Sequence, residues 1–566
     1  MIKQAKVITF LVMISILLSA CSLNINKKEV KTDNDDYEDK YEVIDKGPVK
    51  GGTVKLFTTP IDTLNPILTN NMYVQDFLGL IFEGLYKLDH TGQPVPVLAK
   101  SSLLSSDGLV LTVFLKDNIK WHDKMSLKPE DIVFTINTIK DTKNNSTYIK
   151  NVKNIESIEV GNANSVIIKL KQPYSFIKNE LVFPIIPMHH FLNEKISDKN
   201  SKVNLMPIGT GPYSFISYDP KTSVKLRRND QWWNSNGLND NNYAEADKDN
   251  NKKNTAVSLP YISTVEIKIF QNSNLANNSF QTRDIDAIPA SYSEFRKYIG
   301  RTDIVLKRYT GKNYEFVALN LNKGPLADKR VRNAINLMIN KKQLIDSSAL
   351  GIAVAAEIPV MPSSWVHQLV DFEQGNDLEK AKDLLAQSGY VFNSEINKYV
   401  KKTTKKPLSI KLIVNDDNNL RNTVAKEISS QLSKNGMTVE ISKMPWADVH
   451  KTMKVGNYDM ALMGYRISSI PDLSFAYSTD EIKSGLNVAG YSNPNVDNIL
   501  KSILSDNNIE SQKASYINLI NIISEDRPYI GLFFLNESVM YNKSIRGAIN
   551  PYVYDKYNDI SKWYKP

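Results

Sequence analysis

One cysteine in 566 residues, Cys21, removes intrachain disulfide bonds from the devices that could hold this chain together. Whatever folds here must do so by burying apolar surface. A composition of 42% hydrophobic and 23% charged residues is that of a globular protein able to do this. Length then forbids a single core. The roughly 520 residues that follow the amino-terminal segment exceed the about 250–300 at which one core stops growing, so the body is expected to divide into two or three lobes.

The position of the cysteine carries a second expectation. Lys3 and Lys6, an apolar stretch over residues 7–18, and then Ser19 and Ala20 have the order of a secretory signal. The stretch is shorter than the roughly 20 apolar residues needed to span a bilayer. The run Leu18-Ser19-Ala20-Cys21 resembles the lipobox of bacterial lipoproteins, which implies cleavage before Cys21, its acylation, and a tether on the extracytoplasmic face of the cell membrane. The residues also leave open an ordinary cleaved signal with a stray cysteine, or an amino-terminal membrane anchor. Residues 22–47, rich in Asn, Lys, Asp and Glu, are too poor in apolar side chains to repay ordering and are expected to form a flexible stalk. The formal charge of +9 is spread over a chain in which Lys and Arg alternate with Asp and Glu, so no nucleic-acid partner is expected.

A second polar interruption runs over residues 234–258 and reads as a solvated loop. The clearest periodicities lie further on. Asn376 as cap, Glu379 three residues later, the apolar face of Leu378, Ala381, Leu384 and Leu385, and a stop at Gly389 predict a helix. Residues 408–414 read as a strand, Leu420, Val424, Ile428 and Leu432 as a helical stripe ending at Gly436, and residues 438–442 as a second strand. Strand, helix and strand in this spacing form a βαβ unit, hence a parallel sheet and an α/β fold class. Such sheets place ligands beyond the carboxyl ends of their strands.

Motifs of catalysis are missing. The sequence has no G-x-x-x-x-G-K-[ST] loop, no H-E-x-x-H and no G-x-S-x-G. Gly209-Thr210-Gly211-Pro212-Tyr213 lacks the third glycine of a dinucleotide loop and leads into residues 214–218, which read as strand. His189 and His190 are adjacent and point to different sides of most backbones, so they nominate no metal site. The expectation is a protein that is not an enzyme and has no catalytic residues, no cofactor and no metal ligands.

A series of short motifs carries a family resemblance. Gly51-Gly52-Thr53, Asp62-Thr63-Leu64-Asn65-Pro66, Phe82-Glu83-Gly84-Leu85, Lys120-Trp121-His122-Asp123, Gly209-Thr210-Gly211-Pro212-Tyr213 and Trp232-Trp233 occur in this order. They continue with Asp328, Arg330-Val331-Arg332-Asn333-Ala334, Gly389-Tyr390 and Tyr458-Asp459-Met460. Over roughly residues 50–540 the sequence resembles the family 5 extracellular solute-binding proteins, the peptide-type and nickel-type binding subunits of ABC importers. On their own chemistry, Gly84, Gly209 and Gly211 are expected in tight turns and Trp121, Trp232 and Trp233 as lobe anchors. Pro66 and Thr69-Asn70-Asn71 are expected to leave backbone N–H and C=O groups open.

The resemblance implies a two-lobed, periplasmic-binding-protein-like α/β fold of type II (Venus flytrap), with a subdomain inserted in the first lobe. Lobe I would comprise residues 48–75, 200–313 and 535–566, the insert residues 76–199, and lobe II residues 314–534. It implies a monomer that encloses an oligopeptide between its lobes, mainly through the ligand's main chain, and delivers it to ABC permease and ATPase subunits. Ligand contacts transfer to Asn70, Asn71 and Met72 in the first lobe and to Gly464, Tyr465 and Arg466 in the second, with Trp446 as an aromatic wall. Peptide binders of the family carry Gly-Trp-x-x-Asp at this second position. Here Tyr465 replaces the tryptophan and Ser468 the aspartate that receives the ligand's ammonium, while Phe475 keeps its spacing from Tyr465. A serine supplies no charge, so an amino terminus is not expected to be captured there. Asp472 is a substitute four residues away, and Arg466 favours an anion instead. A peptide-signal receptor lipoprotein, and a nickel-chelate or sugar binder on the same fold, stay open as alternatives.

Overall fold

The computed structural model describes residues 47–192, 194–236, 258–290, 294, 296–298, 300–372 and 375–566. Cys21, the expected signal and all but Gly47 of the expected stalk lie outside the described residues, as do residues 237–257 of the second polar interruption. Among the described residues no helix is long and apolar enough to cross a membrane.

In chain order the strands that build the large sheets begin with β1 (Gly51–Thr58), β2 (Ala99–Leu104), β3 (Val110–Leu115), β4 (Ile155–Val160) and β5 (Ser165–Leu170). They continue with β6 (Tyr213–Asp219), β7 (Ser223–Arg228), β8 (Ile262–Ile269), β9 (Ala287–Ala290) and β10 (Ile304–Leu319). The last are β11 (Ala353–Ala355), β12 (Ser409–Asn415), β13 (Thr438–Met444), β14 (Met460–Arg466) and β15 (Tyr529–Asn542). The helices that bear on the site are α1 (Met72–Leu78), α2 (Pro129–Lys140), α3 (Lys329–Met338), α4 (Leu378–Gln387), α5 (Asn419–Lys434), α6 (Trp446–Lys454), α7 (Pro494–Ser505) and α8 (Ile509–Asp526).

Three sheets follow. The first has the order β1-β8-β7-β6, with β1 parallel to β8. The chain between β1 and β6 contributes its own antiparallel sheet, β2-β3-β5-β4. The third runs β9-β15-β10-β14-β12-β13, with β11 also on β15. The predicted βαβ unit is β12-α5-β13, parallel and in register from Ser409 opposite Thr438 to Asn415 opposite Met444. β14 joins it in parallel and turns antiparallel against β10.

Alternation along the strands explains why the third sheet is covered on both faces. Phe316, Ala318, Ala461 and Met463 enter one buried cluster, with Tyr516 and Leu519 of α8. Val317, Leu319, Met460 and Leu462 enter the other, with Val424 and Ile428 of α5 and Ala381 and Leu385 of α4. Successive side chains of a strand point to opposite faces, so a nearly continuous apolar run signals two covered faces. The first core is assembled from distant stretches: Val54 and Leu56 of β1 share it with Trp121, Ile267, Tyr541, Tyr557 and Trp563.

β10 and β15 pair along nearly their whole length but not evenly. Thr310 faces Asn536 and Tyr314 faces Phe534, so three residues of β10 oppose one of β15. Gly311 lies in this bulge, where an added Cβ would come within 2.9 Å of the Glu537 side chain and of the Leu535 carbonyl oxygen.

Two local expectations are corrected here. The helix at α4 forms, with Ala381 and Leu385 buried. Its cap, however, is Asp377, whose side chain accepts from the Lys380 N–H, while Asn376 adopts φ 75° and donates its N–H to the Leu337 carbonyl at 2.7 Å. Gly84, Gly209 and Gly211 are not turn glycines, because none has positive φ. They let backbones touch: a Cβ on Gly209 would lie 1.9 Å from the Ile81 oxygen, on Gly211 2.7 Å from the Leu80 oxygen, and on Gly84 2.8 Å from the Phe183 oxygen.

The tryptophans serve the same junction. The Trp232 and Trp233 indoles donate to Glu83 at 3.2 and 2.8 Å, and the Thr210 hydroxyl donates to it at 2.7 Å. Desolvation pushes the Glu83 carboxyl up, and the three donors oppose that shift. Trp121 donates to Asp131 at 3.2 Å. His122 Nδ1 accepts from the Gly209 N–H at 3.2 Å and its Nε2 donates to the Gly211 carbonyl at 3.0 Å, which selects the Nε2–H tautomer. Burial holds that imidazole pKa low.

Candidate functional site

The antiparallel contact between β14 and β10 gathers most of the nominated second-lobe residues. Gly464 faces Glu315, Tyr465 faces Tyr314, and Arg466 faces Asn313. Glu315 is an acid at the head of the apolar end of β10, Phe316 to Leu319, and it is buried. Its partner is Arg421 of α5, whose Nε and Nη2 donate to the two carboxylate oxygens at 2.7 and 3.2 Å. This bidentate pair offsets the burial that raises the Glu315 pKa. Gly464 is glycine because of it: an added Cβ would sit 2.3 Å from Arg421 Nη2 and 2.7 Å from Glu315 Oε1.

Trp446 opens α6, and its half-exposed indole lies 5.4 Å from the Arg421 guanidinium, with the His450 ring against its edge at 4.5 Å. The wall residue, the glycine and the buried ion pair therefore form one continuous group. Tyr465 stands beside it. Its ring stacks on Phe316 at 4.5 Å, meets Phe475 edge-on at 5.0 Å, and its hydroxyl donates to the Leu486 carbonyl at 2.5 Å. The retained spacing of Phe475 is thus a direct ring contact.

Arg466 is exposed at the end of β14. Two residues on, the exposed Ser468 uses its hydroxyl oxygen to accept the Ile470 N–H at 3.2 Å, closing a local turn. Asp472, the substitute acid, accepts the Ser474 N–H at 2.8 Å in the same way. The adjoining residue of β10 is Lys312, whose carbonyl accepts the Ile467 N–H at 2.9 Å and whose ammonium lies 4.8 Å from the centre of the Tyr554 ring. Burial, with Arg466 as the next cause, pushes the Lys312 pKa down to about 8.

The first-lobe nominees form a separate group. Asn71 caps α1, accepting from the Tyr73 N–H at 3.0 Å, and its amide donates to Thr59 Oγ1 and the Pro60 carbonyl. The N–H groups expected to be open are taken: that of Asn70 by Asp62 at 3.1 Å and that of Asn71 by Thr69 Oγ1 at 3.2 Å. Met72, the first residue of α1, is half exposed. Among the described residues no hydrogen bond or ion pair joins Asn70, Asn71 or Met72 to residues 464–468. Further along α1, Asp76 pairs with Lys556 at 2.8 Å. Nor does any group of three or more His, Cys, Asp or Glu among the described residues suit a metal ion. His189 pairs with Asp123 and His190 with the Val203 carbonyl.

Sequence reasoning missed Glu315, Arg421 and Lys312. For Glu315 a signal existed, since an isolated carboxylate in the run Phe316-Val317-Ala318-Leu319 demands a buried partner. Nothing in the sequence named Arg421 as that partner.

Comparison with known proteins places this architecture. The sequence profile of the bacterial extracellular solute-binding proteins, family 5 (middle region), matches residues 93–483. The oligopeptide-binding protein AppA of Bacillus subtilis is 26% identical over 518 residues, covering 88% of this chain and 90% of that protein. Among solved structures, HbpA2 from Haemophilus parasuis superposes with a TM-score of 0.72 at 21% identity, over 91% of this chain and 100% of that one. NikZ from Campylobacter jejuni, solved in complex with Ni(L-His), gives 0.61 at 24% identity, over 91% and 99%. The fold is shared, two-lobed and α/β. With the profile covering well over half of its length, this chain belongs to the bacterial extracellular solute-binding proteins, family 5, and is a binding protein rather than an enzyme.

Proposed function

We propose that the chain is the lipid-anchored, extracytoplasmic substrate-binding subunit of an ABC importer, a monomer that captures oligopeptides by closing its lobes and delivers them to the permease and ATPase subunits. The observation that carries this reading is the paired passage of β10 and β15 with a register break at Thr310/Tyr314. A bulge in two strands shared by both lobes is a place where the chain bends without breaking a core, which suits a hinge. The proposed lobe boundaries, 313/314 and 534/535, divide the same two strands there. The similarity to a protein named for oligopeptide binding supports the ligand class.

In this reading Asn70, Asn71 and Met72 approach the ligand from the first lobe, and Trp446, Gly464, Tyr465, Arg466 and Ser468 from the second. A ligand held by its main chain makes strand-like hydrogen bonds, so side-chain identity matters little. Cys21 provides the tether that keeps the complex beside the permease.

Native mass spectrometry of protein purified from its own host, with the released ligands identified, tests the assignment. A mixture of peptides is the expected result, and a single metal chelate or glycan overturns it. The anchor is tested separately: Cys21→Ala is expected to abolish incorporation of a fatty-acid probe and to release the protein from cells, whereas unchanged labelling removes the anchor from the proposal.

A further inference from the structure

Phe176 and Ile177 are adjacent in the chain yet buried in different cores. Ile177, 1% exposed, belongs to the core of β1, Trp121 and Trp563. Phe176, 5% exposed, lies in the cluster of Ile503 of α7, Tyr516 of α8, and Ile470 and Leu473, which follow Ser468 in the chain. Among the described residues every other buried member of that cluster falls between residues 314 and 534. Phe176 is therefore a side chain of the proposed insert, residues 76–199, enclosed by the proposed second lobe. The Tyr174 ring, packed against both cores, meets it edge-on at 6.1 Å.

Hydrogen bonds complete the junction between them. The Ser175 N–H donates to the Leu504 carbonyl at 2.8 Å, and its hydroxyl donates between the Ile503 and Leu504 carbonyls at 2.9 and 3.1 Å. The same hydroxyl accepts from Gln512 Nε2 at 3.0 Å. Those carbonyls belong to the last turn of α7, where a helix has no partners of its own for its C=O groups. One lobe thus caps a helix of the other. Two close approaches flank the cap: an added Cβ on Gly108 would lie 2.5 Å from Asn507 Nδ2, and one on Gly92 3.6 Å from the Ser469 oxygen. The Gly92 carbonyl is held in turn by the Asn179 amide at 3.0 Å.

Resting on the lobe division and closing motion proposed above, we infer that Tyr174, Ser175 and Phe176 form a latch between the lobes, drawn out of the second lobe each time the cleft opens. Ile177 anchors the segment in the first core, so the plug cannot follow the second lobe. Opening then exposes the Phe176 ring to water and uncaps α7. None of the three residues is a nominated ligand contact, so the latch favours the closed form whether or not a ligand is inside. It sets how long a ligand is held without selecting which one.

Hydrogen exchange and small-angle scattering of the full chain test the latch without a ligand, and stopped-flow release of tetra-alanine tests it with one. The Ser175 amide is expected to be protected from exchange in the wild type. Phe176→Ala with Ser175→Ala is expected to lose that protection, enlarge the radius of gyration and release tetra-alanine at least about tenfold faster. Ser175→Ala alone, which leaves both cores intact, is expected to move the same readouts in the same direction by less. Ile177→Ala, which removes a side chain from the first core only, is expected to lower the Tm while leaving radius and release unchanged. An unprotected Ser175 amide in the wild type, or a double variant with the wild-type radius, overturns the latch. So does an Ile177→Ala protein that opens and releases as the double variant does. If tetra-alanine does not bind the wild type, the oligopeptide reading falls, and exchange and scattering decide the latch by themselves.

Discussion

Two polar clusters in this protein use similar side chains to opposite ends. Around Glu83, a carboxylate, two indoles, a hydroxyl and three close-packed glycine contacts complete one another, so every polar group has its partner inside the fold. At Lys312 and Arg466, neighbouring positions on β10 and β14, one cation lies against the Tyr554 ring, and among the described residues neither is in ion-pair contact with an acid. The first cluster gathers motifs that identify the family; the second contains none of them. Residues that satisfy each other maintain the fold, and residues left unsatisfied are where something from outside can be recognised.

Removing the centre of the satisfied cluster is expected to have the largest effect. Glu83→Ala strands the Thr210, Trp232 and Trp233 donors and is expected to cost about 3 kcal/mol of stability in urea unfolding. A loss below about 1 kcal/mol would show that the cluster is not a structural knot. Gly209→Ala attacks the same place by volume, since its methyl would overlap the Ile81 carbonyl, and a loss of about 2–3 kcal/mol is expected.

The unsatisfied cluster is expected to respond with the reverse sign. Because the folded pKa of Lys312, about 8, lies below its ordinary 10.5, the unfolded chain holds a proton that the folded one has lost between those values. Stability contributed at this site therefore rises with pH across that window. Lys312→Met should exceed the wild type by on the order of 2 kcal/mol near pH 7, with the gap closing by about pH 10.5. A pH-independent gap would mean that the lysine is paired in solution. The smallest effect concerns Ser468. Wild type is expected to bind free and N-acetylated peptides within about threefold, and Ser468→Asp to restore a preference for the free amine of about 1 kcal/mol. Loss of wild-type binding on acetylation would show that an amine is captured after all.

The sequence made legible what is local. β12-α5-β13 follows from a period of two, a period near four and a glycine stop, all within one stretch of chain. The cap of α4 slipped by one residue because Asn376 and Asp377 are both capping types, and the choice was made by a contact with Leu337. Gly209 was misread because a glycine that supplies conformational freedom and one that supplies space look alike until Ile81 arrives from far along the chain. The candidate site was legible only through the family resemblance, which nominated Gly464, Tyr465, Arg466 and Ser468 with Trp446 but said nothing of the strand that carries the first three. Its electrostatics were not: the Glu315–Arg421 pair and the isolation of Lys312 are products of pairing between residues distant in sequence.

The first core has a consequence for how the protein comes into being. Val54 and Leu56 are made early, yet Trp563, which belongs to the same core, is fully buried and is among the last residues made. The core around β1 thus stays incomplete until the last stretch of the chain has been made. A chain interrupted anywhere in between carries an open apolar core, which marks it as unfinished to any protease it meets.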